Sequence, residues 1–216
     1  MSSNGVTSRK SKPRECLEAL CIGVILAMFV RTFVLQSFTI PSQSMEKTLV
    51  AGDYVVVNRL VFGPTQSALS ASLLPVTGIE RGDVIVFRYP KDPNRTFVKR
   101  VIGLPGETVV LRNRRVYVDD RRLDEPYARF DFPPEDDGSP AAEIPIQHGP
   151  VSVPAGQYFV LGDNRDSSSD SRYWGTLPQE SVKGKVLFVY FSIDRMATKR
   201  YIWSRISWNR MFNQVR

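Results

Sequence analysis

Three hydroxyl residues, Ser42, Ser44 and Thr48, crowd the decapeptide IPSQSMEKTL between Ile40 and Leu49. A serine attacks an acyl carbon when a base takes its proton. The ordinary reading of such a stretch is a linker, since Pro and Ser are common turn formers. Serine hydrolases usually draw on histidine, and the one histidine, His148, lies in the Pro/Gly-flanked loop IPIQHGP without an evident carboxylate partner. A single histidine also makes a His-based zinc site a poor expectation. A lysine is the alternative base, provided an apolar pocket lowers its pKa by about three units. Lys99, in RTFVKRVIGL, fits that requirement, with Phe97 and Lys99 on one strand face and Val98 and Arg100 on the other. Taken alone, a strand lysine is most often an exposed charge. A third cluster, LGDNRDSSSDSRYWG from Leu161 to Gly175, reads by itself as an Asx-rich surface turn.

Elements must bring these three clusters together, and the sequence predicts that they are mainly strands. YVVVNRLVF, DVIVFRY, TFVKRVIGL, ETVVLRNRRVYV, QYFVLGD and KVLFVYFSI are β-branched and aromatic runs separated by Gly, Pro and Asp. That spacing predicts a sandwich or coiled antiparallel sheets. GETVVLRNRRVYVDDRRLDEPY predicts a hairpin turning near Asn113, and the Pro/Ser/Gly-rich stretches 63–80 and 131–150 predict loops. The tail KRYIWSRISWNRMFNQVR carries five basic residues, no acidic ones, and Tyr201, Trp203, Trp208 and Phe212. It predicts an amphipathic helix, either at a membrane interface or simply solvated.

The N-terminal segment has a different character. CLEALCIGVILAMFVRTFVLQSF has twelve uncharged residues from Ala19 to Val30. A bilayer span needs about 20, which the run reaches from Leu17 to Gln36 if Glu18 and Arg31 sit near the interfaces. No Ala-x-Ala site follows, which argues against a cleaved leader. Arg9, Lys10, Lys12 and Arg14 precede the run and place the N-terminus in the cytoplasm. Cys16 and Cys21 are the only cysteines, and on a helix they point to different faces, so no bridge is expected. The predicted organisation is a basic leader at 1–15, a transmembrane signal anchor at 16–37, an extracytoplasmic β-rich domain at 38–198, and the tail at 199–216. Residues 107–150 would form a reduced second subdomain. The net charge, 29 − 22 = +7, is basic but not extreme. With the anchor in place it suits anionic lipid and not nucleic acid.

The order of four boxes adds a resemblance. PSQSMEKTL, GDYVVVNRL, RGDVIVFRYP with FVKRVIGLPGE, and GDNRDSSSDSRYWG follow one another as in bacterial type I signal peptidases. The chain resembles these membrane-anchored Ser/Lys proteases of the export routes from Arg31 to about Val189. The resemblance implies Ser44 as nucleophile, Lys99 as general base, and the Ser42 hydroxyl with the Ser44 amide as oxyanion hole. It implies that Ser168 orients the lysine, that Asp170 and Arg172 form a structural ion pair, and that Gly162 and Asp163 shape the turn behind it. It further implies substrate pockets lined by Ile40, Pro41, Met45, Leu49, Phe97 and Val98, admitting small residues at −1 and −3 of an exported preprotein. No cofactor or metal is implied, and the oligomeric state is left open. Two positions depart from the family pattern: Lys47, where proline is usual, and Gln43, where Gly or an acidic residue is usual. Two other readings stay open. One is a self-cleaving Ser/Lys peptidase of the SOS-repressor type, although no Ala-Gly or Cys-Gly pair precedes Ser44. The other is an inactive membrane-anchored binding paralogue.

Overall fold

The computed structural model describes residues 12–29, 31, 34–59, 78–131, 147–194 and 205–215. The leader residues Arg9 and Lys10, most of both predicted loops and the start of the tail lie outside them. Helix α1 (Lys12–Phe29) carries the apolar run, and strand β1 begins at Leu35 (Leu35–Thr39). The stretch predicted as a span, 16–37, is therefore not a single helix, because its last residues pair with β2. Lys12, Arg14, Glu15 and Glu18 load the first two turns of α1 with charge. Among the described residues no helix is long and apolar enough to cross a membrane. Cys16 and Cys21 are both free.

The remaining strands are β2 (Asp53–Asn58), β3 (Val84–Tyr89), β4 (Asp92–Gly103), β5 (Thr108–Arg112), β6 (Arg115–Val118) and β7 (Arg121–Arg122). They continue with β8 (Gln147–Ser152), β9 (Gln157–Leu161), β10 (Leu177–Pro178) and β11 (Val182–Ser192). Among the described residues they make two antiparallel sheets, β1-β2-β11-β3-β4-β9-β10 and β7-β6-β5-β8. β11 lies between β2 and β3, joining two halves that chain order alone would leave apart.

Near-continuous apolar runs form the middle strands because both faces are covered. On β3, Val84 and Val86 point into one core with Ile40, Met45, Leu49 and Val57, while Ile85 and Phe87 point into a second with Val101 and Val160. On β9, Tyr158 and Val160 join that second core, whereas Phe159 and Leu161 join a third beneath the smaller sheet. The period of two thus sets three cores from two strands. The smaller sheet begins with the predicted hairpin. Asn113 and Arg114 take φ of 49° and 63°, a two-residue turn whose twist matches the flanking strands.

Two expectations need correcting. His148 is not in a loop: it lies on β8, opposite Leu111 of β5. The part of the tail within residues 205–215 is not an amphipathic helix either. It runs back along β11, with Val215 N–H donating to Leu187 O at 3.0 Å. Arg210 anchors it by an ion pair with the fully buried Asp53 at 2.6 Å and a bond to Thr48 O at 3.0 Å. A basic residue placed on a buried carboxylate outweighs helical propensity. Arg210→Ala should cost about 2 kcal/mol, since it strands a buried charge whose partner is itself partly solvated. A thermal melt should then fall by roughly 4–8 °C, and an unchanged melt would show that the pair contributes nothing.

Candidate active site

Ser44 lies in the loop between β1 and β2, pinned at both ends. Ile40 N–H donates to Asp53 O at 2.8 Å and Gly52 N–H to Ile40 O at 2.9 Å. Between them Glu46, Thr48 and Leu49 close successive turns on Gln43 and Met45. The turns sink Met45 and Leu49 into the core and leave Ser42 and Ser44 turned toward a cleft. Lys47 closes this loop with φ 99°, a value proline cannot take. The Lys47 ammonium donates to Pro126 O.

Lys99 lies at the inner end of the exposed half of β4, 4% exposed, and its Nζ donates to Ser44 Oγ at 2.5 Å. Burial holds its pKa down to about 8 from the ordinary 10.5, overcoming the opposing pull of Asp170 and Asp163. Ser42 Oγ is 3.3 Å from Ser44 Oγ. Ser168 is buried against Gly162, and among the described residues its hydroxyl has no hydrogen-bond partner. The expected bond from Ser168 to the lysine is thus not formed in this arrangement. Gly162 packs so closely that a Cβ there would meet Ser168 Oγ at 2.2 Å and Ser44 O at 2.5 Å.

Charged side chains frame the dyad from behind. Asp170 caps the one-turn helix α2 (Ser171–Trp174), accepts from Gly162 N–H at 3.0 Å, and holds Arg172 through two oxygens at 2.8 and 2.9 Å. Asp163 gathers Arg100 through both oxygens, at 2.8 and 2.7 Å, and Thr48 Oγ1 at 2.5 Å. Arg100 also lies over the Tyr127 ring at 4.0 Å. Neither Arg100 nor the Thr48–Asp163 link is evident from the sequence reading, which assigned Arg100 only to the opposite strand face. The available signal was Arg100 itself, a charge inside the apolar strand run FVKRVIGL, where an unpaired charge is not tolerated. His148 is near Phe159 and does not line the cleft.

The cleft, about 540 Å³, is walled by the chain from Phe38 to Pro41 on one side and from Arg95 to Val98 on the other. Ile40, Pro41, Met45, Phe97 and Val98 line it as expected residues do. Leu49 does not: its turn aims it into the core, where it is fully buried. Phe38, Thr39, Arg95, Thr96, Ser167 and Ser169 also line it and were not anticipated. Strand β9 pairs with β4 only from Arg100 onward, so among the described residues the Asn94–Val98 edge has β3 on one side and the cleft on the other.

A family model described as signal peptidase, peptidase S26, matches residues 14–191. The chain belongs to this family. The matched span includes Ser42, Ser44, Lys99, Asp163, Ser168 and Arg172, and so this S26 member has the whole candidate site within its family region. Signal peptidase I of Pseudomonas aeruginosa is 34% identical over 196 residues, covering 78% of this chain and 69% of that one. Signal peptidase I P of Bacillus subtilis subsp. natto is 32% identical over 198 residues, covering 91% and 98%. The solved signal peptidase I of Enterococcus faecalis V583 is 36% identical and covers 50% of this chain and 97% of its own, at a TM-score of 0.40. That score is too low to speak to the fold.

Proposed function

We propose that this chain is a membrane-bound serine endopeptidase that removes signal peptides from exported preproteins. The observation carrying the reading is the Lys99–Ser44 contact of 2.5 Å at the floor of an open cleft, with the lysine desolvated enough to bring its pKa to about 8. A neutral Lys99 takes the Ser44 proton as Oγ attacks the carbonyl. The Ser42 hydroxyl and the Ser44 amide steady the oxyanion. Lys99 then protonates the leaving amine and, through water, releases the acyl-enzyme. Removing one oxyanion donor in such sites typically costs ~10²–10³ in rate.

The free edge of β4 supports binding of an extended substrate by strand addition. Bulky walls, from Ile40, Met45 and Phe97, favour small side chains at −1 and −3. Membrane attachment rests on α1. Leu17, Leu20, Ile22, Val24, Ile25, Leu26 and Met28 are each at least 51% exposed, an apolar surface that lipid would cover. With Lys12 and Arg14 at its start, the N-terminus lies on the cytoplasmic side and the site on the other. Ser168 would serve the lysine after a turn of its free hydroxyl.

The test uses the full chain in detergent and a preprotein with Ala at −3 and −1. Ser44→Ala should lower cleavage by at least ~10⁴-fold. Cleavage by that variant at the native rate would remove Ser44 as nucleophile.

A further inference from the structure

Resting on the peptidase reading above, we propose that Arg95 is a specificity-determining residue that selects an acidic side chain at −5 of the substrate. Arg95, Phe97 and Lys99 share one face of β4. The Phe97 ring has the Arg95 guanidinium 5.2 Å from its centroid on one approach and the Lys99 ammonium 5.6 Å on another. Arg95 is exposed, lines the cleft, and forms no ion pair with a carboxylate among the described residues. It is nonetheless held in place. Tyr89 stacks on Phe97 with centroids 4.6 Å apart, and the guanidinium rests on both rings. A cation fixed on an aromatic platform loses little freedom when a carboxylate arrives.

Register gives the subsite. If −1 lies beside Lys99 and −3 beside Phe97, the substrate strand runs parallel to β4. Same-face side chains then recur every two residues, and −5 falls beside Arg95, about 13 Å from the Lys99 position. A lysine or arginine at −5 would meet this positive end, while Asp or Glu would neutralise it.

Three peptides identical except for Asp, Ala or Lys at −5, all with Ala at −3 and −1, test the assignment. Each rate is taken relative to the same enzyme acting on the Ala peptide. The native chain should prefer Asp to Lys by about tenfold in kcat/KM at low salt, with the gap narrowing as salt is added. Arg95→Gln should level the preference and Arg95→Glu should reverse it. A native enzyme indifferent to charge at −5, or variants that keep the native ratio, would overturn the assignment while leaving the peptidase reading intact. A native enzyme that cleaves none of the three peptides would instead overturn the peptidase reading, and this one with it.

Discussion

Replacing Lys99 with methionine is expected to abolish peptide-bond cleavage and, at the same time, to raise the melting temperature. On the proposed mechanism the loss follows from the missing base: without it Ser44 would have to give its proton to water, and loss of a catalytic base typically costs ~10⁴–10⁶ in rate. The gain follows from linkage. Lys99 is protonated in the unfolded chain up to 10.5 but in the folded one only to about 8. Below pH 8 both states hold the proton, and burying the charge costs about 3 kcal/mol in full. Between about 8 and 10.5 the unfolded chain binds more protons than the folded one, so the native protein gains stability as pH rises. Methionine keeps most of the volume and removes the charge. The variant should therefore melt several degrees above the native protein at pH 7, and the gap should close toward pH 10. Activity of the native enzyme should climb about tenfold per pH unit below 8 and level off above it, read as kcat/KM. A flat profile from pH 6 to 9, or a less stable variant, would count against a desolvated lysine base.

Gly162→Ala is expected to reduce kcat/KM by about 10²-fold or more although residue 162 carries no chemistry. The added methyl would overlap the Ser44 carbonyl and the Ser168 side chain at distances that no real Cβ shows. A backbone carbonyl cannot swing aside as a side-chain tip can. The loop carrying Ser44 must move, and a displacement near 1 Å at a reacting atom costs about two orders of magnitude. Overpacking of this kind also destabilises by roughly 1–3 kcal/mol. Gly78→Ala is the matching control, since a Cβ there meets nothing within 4 Å. Equal activity in Gly162→Ala would mean that the two segments are not in the contact described.

The strands were legible because burial on both faces of the larger sheet leaves runs such as VIVF and YFVL that nothing but a buried strand accommodates. The hairpin was legible from Asn113, a residue that tolerates positive φ. What escaped depended on partners distant in the chain. β4 starts at Asp92, although DPN resembles a turn, because Tyr89 of β3 pairs with Asp92 across a bulge. β8 contains Gly149-Pro150, a pair that reads as loop, yet Gly149 packs closely against β5, with its would-be Cβ 2.7 Å from Val109 O. The tail was misread for the same reason, since Asp53 cannot be seen from residue 210. In the candidate site, Ser44 and Lys99 were singled out through the order of the boxes. Arg100 was not, since the partner that holds it, Asp163, lies far along the chain beyond the end of β9.

The insertion of β11 between β2 and β3 also sets a schedule for synthesis. Ser44 and Lys99 have both been translated before the chain is half made, yet among the described residues the β1–β2 pair flanking the serine and the β3–β4 pair bearing the lysine are joined into one sheet only by β11, residues 182–192. A nascent or prematurely terminated chain thus carries both halves of a protease without a sheet to join them. The sheet that joins them is complete only once translation has passed its last central strand.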